Sequence, residues 1–270
     1  MPLVVCATPI GNLEDVTLRV LRELGEADVV LCEDTRRTRT LLDRHGVEAR
    51  LVSYHQHNEA RRVQEVLPRL EAGERIALAS DAGLPGVSDP GARLISAAID
   101  RGVEVTVLPG PSAVETALVA SGLVGERYVF VGYLPRSAKA LGRVWEETAG
   151  WPWPAVAFES PKRLPAALRS LADADPERAV AVCRELTKRF EEVVRGPARV
   201  VAERFAEPPK GEITLVLGPP ADDGDRSGED DEALAAVHEL AAAGVPRRRA
   251  AEIVSGLTGV SRNRLYKASL

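Results

Sequence analysis

"SDAGLPGVSDPG", residues 80–91, stands between the apolar run "RIALA" and the segment "ARLISAAIDR", and this succession of strand, loop and helix decides the fold. The run lacks polar alternation, as a strand buried on both faces requires, while the segment after it has helical apolar spacing. The loop itself holds three glycines, two prolines and two aspartates, residues that turn a chain and expose its backbone. Asp89 is predicted to cap the following helix, with Pro90 at its first position.

The same succession recurs on either side. "LVVCA", "DVVLC", "RLVSY" and "VTVL" read as further strands, and "VTLRVLREL", "TRTLLDRH", "ARRVQEVLPRL" and "AVETALVAS" as helices. Strands of this type separated by helices predict a parallel sheet covered on both faces, over residues 1–121. Glycines and charge interrupt the pattern in "SGLVGER", residues 121–127, which marks a boundary. Beyond it "RYVFVGYLP", "AVAFES", "AVAVCREL" and "ITLVLG" alternate with helical pieces, so residues 122–218 predict a second α/β unit. Residues 219–232 carry seven acidic residues and one arginine between Asp222 and Glu232 and read as a solvated linker. Residues 233–270 form a helical tail broken at "GVP" and "TGVS", with Ser261 as a cap candidate for the last helix. From Val245 onward the tail holds six Lys or Arg against one Glu. Its arginines suit either a nucleic-acid-binding helix-turn-helix or a solvated helix face.

Composition narrows the function classes. The chain has 270 residues, 45% hydrophobic and only 4% aromatic, with a net charge of −5. Any nucleic-acid contact must therefore come from a local basic patch. Cys6, Cys32 and Cys183 are odd in number and widely spaced, which predicts buried thiols in a reducing compartment. "MPLVVCATPIG" has no basic leader and too short an apolar run for a signal peptide or membrane span, so a cytoplasmic protein is expected.

In a doubly wound sheet, ligands bind beyond the carboxyl ends of the strands. Four loops there join turn residues to polar side chains: "TPIGNL", "CEDTRRTR", "SDAGLPGVSDPG" and "PGPSA". Neither G-x-G-x-x-G after the first strand nor a P-loop is present, which removes the main support for a dinucleotide or a nucleoside triphosphate. Asp81, at the strand end, answers a cationic or hydroxyl-bearing ligand. His55 and His57 lack a third ligand at metal-binding spacing, so no metal is expected. The cluster Glu33 to Arg39 reads either as an ion-pair network or as part of a site.

Taken in order, "ATPIGNLEDVTLRVL", "CEDTR", "SDAGLPGVSDPG", "LPGPSA", "SGL", "VGYLPR", "FESPKR", "RELTKRFEE" and "KGEITLV" resemble the ribosomal small subunit methyltransferase I family of the tetrapyrrole methylase superfamily. The likeness runs from residue 3 to about residue 217, and the ending "RNRLYKASL" is similar to that family's C-terminal extension. The resemblance implies two α/β domains with a cofactor cleft between them, a small helical tail and usually a homodimer. It implies S-adenosylmethionine as cofactor and 16S rRNA in the small ribosomal subunit as substrate, methylated on the ribose 2′-oxygen of a decoding-region cytidine. By motif position it assigns cofactor contacts to Asp81, Gly83, Leu84, Pro85, Val87, Ser88, Pro111, Ser112 and Ala113, with Leu186, Gly211 and Glu212 from the second domain. Leu84 stands where the family usually has threonine, and Lys162 where it usually has histidine. The first change removes a hydroxyl beside the cofactor and the second keeps a cation.

The transfer needs an oriented 2′-hydroxyl and a group to take its proton. Glu33, Asp34, Glu185 and Lys188 are the candidates, since their loops face the cleft. Arg36, Arg37, Arg39, Arg247, Arg248, Arg249, Arg262, Arg264 and Lys267 are the candidates for RNA phosphates. Two other readings fit parts of the chain: methylation of a tetrapyrrole carbon or nitrogen, and a non-catalytic nucleic-acid-binding protein. The basic tail and "EDTRRTR" weigh against the first, the four strand-end loops against the second.

Overall fold

The computed structural model describes the backbone of residues 2–220, 227–258, 260 and 262–269, and the side chains of all of these except 227–231, 263, 264 and 267. Residues 1–220 and 221–270 form separate compact units.

The larger unit begins with five parallel strands, β1 (Leu3–Cys6), β2 (Val29–Cys32), β3 (Leu51–Ser53), β4 (Ile76–Ala79) and β5 (Val105–Leu108), in the order β3-β2-β4-β1-β5. Every residue of β1, β2 and β4 is buried, the physical counterpart of their unbroken apolar sequence. Alternate side chains divide between the two faces. Leu3, Val29, Leu31, Ile76 and Leu78 pack with Val63, Val66, Leu67 and Leu70 of α3 (Glu59–Glu71) and with Leu94 and Ala98 of α4 (Ala92–Asp100). Val4, Cys6, Val30, Ala77 and Ala79 pack with Val20 and Leu24 of α1 (Leu18–Glu26) and Leu42 of α2 (Thr35–Arg44).

Helix α5 (Ala113–Ser121) turns from this sheet to a second one. Its Val114, Ala117 and Leu118 share a cluster with Val156, Ala181, Cys183 and Val216 from the inner face of that sheet. The second sheet has the order β6-β7-β10-β8-β9, built from β6 (Val129–Tyr133), β7 (Ala155–Glu159), β8 (Ala179–Arg184), β9 (Glu192–Pro197) and β10 (Ile213–Leu217). Strands β6 and β7 are parallel, and β10 runs antiparallel between β7 and β8. The start of β10 therefore lies beside the ends of β7 and β8. Its outer face is covered by α6 (Ala138–Ala149), α7 (Leu164–Ala174) and α8 (Ala198–Arg204).

Thr17, Asp34 and Ser137 cap α1, α2 and α6 with their side chains. Asp89 does not cap α4. The helix starts at Ala92, the cap position is Gly91, and no side chain caps it. Asp89 lies two positions before that cap, and its carboxyl lies instead near Glu33 and Asp81.

In the smaller unit α9 (Ser227–Ala242), α10 (Arg247–Thr258) and α11 (Arg262–Ala268) enclose Ala233, Val237, Ala250, Ala251, Val254 and Leu265. Helix α9 includes residues 227–232, which the sequence assigns to a linker. An acidic run at a helix N-terminus complements the helix dipole, so charge density there does not argue against helix. Residues 221–226 of the expected linker and the cap candidate Ser261 lie outside the described residues, as do the side chains of Arg264 and Lys267. Among the described residues no helix is long and apolar enough to cross a membrane.

Cys6, Cys32 and Cys183 are all free and buried. Burial pushes the Cys6 thiol up to about 12 and that of Cys183 to about 11.

A single buried cation closes the second sheet. Arg178 is 3% exposed; its Nε donates to Gly218 O at 2.7 Å and an Nη to Thr148 O at 3.0 Å. Arg178→Leu strands both carbonyls, and hydrogen bonds to a charged group contribute about 1.5–3 kcal/mol each. Urea denaturation is expected to show a loss of about 2 kcal/mol or more.

Candidate functional site

The strand ends meet at an open cavity of about 290 Å³ lined by Thr8, Pro9, Ile10, Gly11, Leu13, Arg37, Thr38, Thr40, Leu41, Ser80, Asp81, Ala82, Lys188 and Glu212. Of the residues expected at a site, Arg37, Asp81, Lys188 and Glu212 line it. A shallower depression of about 420 Å³ on the second sheet shares none of this lining, and its Arg184 and Arg204 are both paired with Glu192.

One wall is backbone locked to backbone. Thr8 N–H donates to Gly83 O at 2.8 Å and Gly83 N–H to Thr8 O at 2.9 Å. The Thr8 hydroxyl donates to Ser80 O and the Ser80 hydroxyl to Gly83 O, both at 3.0 Å. The glycine-rich loop is thus held in place by the first loop, and Gly83 also approaches the carbonyl of Pro111 from the fifth strand's loop.

The opposite wall comes from the second sheet. The Thr187 hydroxyl accepts from Asn12 N–H at 3.0 Å. Gly11 has no room for a side chain: a β-carbon there would lie 2.6 Å from both Lys188 Cγ and Thr187 Oγ1. Glu185 and Thr187 take φ of 52° and 65°, a region uncommon for residues other than glycine. Leu186 between them is buried in the cluster that joins the sheets.

The candidate acids and bases occupy unlike environments. Asp34 caps α2 and is gripped by Arg36, whose Nε and Nη lie 3.0 and 2.7 Å from its two oxygens. The Arg36 hydrogen bonds hold the Asp34 carboxyl far below the usual range. Glu185 accepts from Lys188 Nζ at 2.8 Å and from Glu212 N–H at 2.9 Å, which lowers its pKa. Burial disfavours the charge of Lys188, but the hydrogen bonds from its ammonium to Glu185 and to Glu212, at 2.9 Å, outweigh that and raise its pKa. In this arrangement the Lys188 ammonium is held between two carboxylates. Glu33 differs from the other three: burial first, then the nearby Asp81 carboxylate, raise its pKa.

Asp81 accepts from Asp34 N–H at 2.9 Å and lies 3.5 Å from Arg37. One of its oxygens therefore orients the loop after β2, and the residue still lines the cavity. Asp89 is half-buried and raised to about 6 by burial, then by Glu33 and Asp81, so three carboxyls share this side of the site. His55 stands in the same region. Its Nε2 pairs with Asn58 and its Nδ1 is buried without a partner among the described residues. The rings of His55 and His57 are 6.0 Å apart, and among the described residues no group of three or more His, Cys, Asp or Glu is placed to hold a metal ion.

Gly83, Leu84, Pro85, Val87, Ser88, Pro111, Ser112, Ala113, Leu186 and Gly211 flank the cavity's loops without lining it. The Ser112 hydroxyl bonds Glu115. Arg36, Arg37, Arg39, Arg247, Arg248, Arg249 and Arg262 are exposed; Arg39 donates to Ala49 O and Arg249 to Glu252. Sequence reasoning marked the loop "TPIGNL" without choosing residues in it. Thr8 and Gly11 take their importance from partners 72 and more positions away, beyond the reach of local pattern.

Two protein-family models match this chain: Tetrapyrrole (Corrin/Porphyrin) Methylases over residues 2–202, and RsmI C-terminal HTH domain over residues 228–270. A relative from Mesorhizobium japonicum named ribosomal RNA small subunit methyltransferase I is 43% identical over 99% of this chain and 91% of its own length. One of the same name from Thermotoga maritima is 41% identical over 80% of this chain and 97% of its own. A solved structure of uroporphyrin-III C-methyl transferase from Thermus thermophilus, complexed with S-adenyl homocysteine, superposes with TM-score 0.57 at 22% identity, covering 81% of this chain and 97% of that one.

The carboxyl cluster gives the fold a pH dependence of definite sign. Asp89 has a folded-state pKa of about 6 against an ordinary 3.8, so the folded state holds a proton that the unfolded chain releases. Its contribution to stability is therefore lost as pH rises from about 4 through about 6. Asp89→Asn is expected to stabilise the protein at about pH 7.5, with the gain fading toward about pH 4, as read by urea denaturation at each pH.

Proposed function

The chain belongs to the tetrapyrrole methylase family and, within it, to the ribosomal small subunit methyltransferase I family, and we propose from this that it methylates the ribose 2′-oxygen of a cytidine in the decoding region of 16S rRNA. What carries the reading is the joining, in one chain, of a methylase unit to a helical unit that is basic from Val245 onward. That union extends over 99% of this chain in the relative from Mesorhizobium japonicum. The substrate is the small ribosomal subunit, the compartment the cytoplasm, and the working form a homodimer.

The proposed cofactor is S-adenosylmethionine, which supplies an electrophilic methyl on a sulfonium. The cavity suits such a ligand: Asp81 and Glu212 offer carboxylates to a cation, while Ile10, Leu13, Leu41 and Ala82 offer apolar wall. Gly83, Leu84, Pro85, Val87 and Ser88 are assigned to one side of the ligand, and Pro111, Ser112 and Ala113 to its base. Leu186 and Gly211 close the other side.

Among the four candidates Glu33 is assigned the role of proton acceptor, because it alone is raised toward neutrality and carries no ion pair among the described residues. Asp34 and Glu185 are held as orienters of their loops, and Lys188 as a fixed cation that steers the acceptor oxygen or a neighbouring phosphate. Arg36, Arg37 and Arg39 at the mouth, and the arginines that open α10, take the RNA backbone.

Incubation with labelled S-adenosylmethionine and undermethylated 30S subunits is expected to label one rRNA cytidine and to make that linkage resist alkali. Label entering a tetrapyrrole precursor instead would overturn the proposal, and label in neither would leave a nucleic-acid reader. Glu33→Gln is expected to lower kcat by about a hundredfold or more while cofactor binding, measured by calorimetry, stays unchanged.

The relative from Thermotoga maritima is matched over 97% of its length by 80% of this chain, so a fifth of this chain has no counterpart there. The C-terminal unit is of that size. Deleting residues 233–270 is accordingly expected to raise KM for 30S subunits and to spare cofactor affinity, as steady-state kinetics and calorimetry will read.

A further inference from the structure

Aromatic side chains are scarce here, with 3 Trp, 4 Tyr and 4 Phe in the whole chain, which makes an exposed one near the cavity informative. Tyr133 is 63% exposed and ends β6, at the same sheet edge as Glu212 and Glu159. Between Phe130 and Tyr133 the pairing of β6 with β7 shifts register, and Gly132 in that gap takes φ +71°. Such a bulge re-aims the side chain that follows it. The Tyr133 ring packs edge-to-face on Phe158 at 5.4 Å, and Phe158 packs in turn on Phe130 at 4.9 Å. Phe158 belongs to the cluster that contains Ile10 and Ala82 of the cavity wall. The ring is thus braced by Phe158 while much of its surface stays exposed to a ligand. Among the described residues its hydroxyl has no hydrogen-bond partner. The other exposed aromatics described in the larger unit are engaged: Tyr128 bonds Glu115, and Phe190 carries the Arg189 guanidinium 5.5 Å from its centre.

We propose that the Tyr133 ring is the platform on which the base of the methyl-accepting nucleotide stacks. The proposal rests on the RNA reading above. A ribose hydroxyl reaches a cleft between two sheets only if its nucleotide leaves the helical stack, and the unstacked base then needs a flat apolar partner. The charge around Tyr133 selects for a base over a phosphate. Burial, then the carboxylates of Asp89, Glu212, Glu159 and Glu33, raise the pKa of its hydroxyl, so the phenol stays neutral and an anion is repelled. Of these carboxylates Glu159 is buried against Arg163, whereas the exposed Glu212 is open to an exocyclic amine, which cytosine carries on its pairing edge.

The test uses the full chain and undermethylated 30S subunits, with substrate concentration varied. Tyr133→Ala is expected to lower kcat/KM for 30S subunits by about tenfold or more, the scale on which an aromatic–base stack is felt. Tyr133→Phe, which keeps the ring, is expected to restore it to within about twofold of the parent. Cofactor affinity by calorimetry, thermal midpoint and self-association by light scattering should not move in either variant. An unchanged kcat/KM in Tyr133→Ala would overturn the proposal. So would a Phe variant as poor as the Ala variant, or a loss that tracks cofactor affinity or self-association. If the parent itself leaves 30S subunits unlabelled, the activity reading fails first and this proposal with it, an outcome distinguishable from failure of the variants alone.

Discussion

The site exists because one glycine lets two sheets touch. At Gly11 the chain passes so close to Leu186, Thr187 and Lys188 that a β-carbon would lie within 3 Å of all three. The partner loop meets it by holding Glu185 and Thr187 at positive φ, conformations that cost on the order of 1–3 kcal/mol each. That cost is offset locally. The Thr187 hydroxyl takes the Asn12 N–H, Glu185 exchanges hydrogen bonds with Glu212, and Leu186 is driven into the shared apolar cluster. A strained loop that is also hydrogen-bonded at both ends stays put, and it presents Lys188 to the cavity in a fixed place.

The framework around this contact was legible in the sequence because it rests on local periodicity. Unbroken apolar runs identified β1, β2 and β4, and those strands are buried throughout. Their loops sit at one edge, as the doubly wound pattern requires. What escaped the sequence depends on partners far along the chain. Asp89-Pro90 has the look of a helix start, yet the carboxyl answers Glu33 and Asp81, and the helix opens two residues later. The Lys188 ammonium is held by two carboxylates, one of them 24 residues away, which no local pattern displays. The acidic stretch after Pro220 was read by composition alone, which does not register that carboxylates suit a helix N-terminus.

Charge is sorted by place, which is how a chain of net charge −5 accommodates both a cationic cofactor and a polyanionic substrate. Glu33, Asp81, Asp89 and Glu212 gather at the strand ends, where negative charge favours a cation over free phosphate. Arg36 and Arg37 stand just outside on the first turn of α2, with side chains 89% and 63% exposed. Each is paired with a carboxylate that also serves the site, Asp34 and Asp81.

The same separation of backbone from side chain explains why Leu84 is tolerable where the family usually has threonine. The loop's path is set on either side of that residue by groups that do not involve its side chain: the two backbone hydrogen bonds between Thr8 and Gly83, the Ser80 hydroxyl on Gly83 O, and Val87 N–H on Leu84 O. A hydroxyl at position 84 would add one donor to a wall whose shape is already determined. Its replacement by an isobutyl group trades that donor for apolar surface and leaves the glycine-rich loop where the first strand's loop holds it. The part of "SDAGLPGVSDPG" that fixes the loop against its neighbours is therefore Ser80, Asp81 and Gly83.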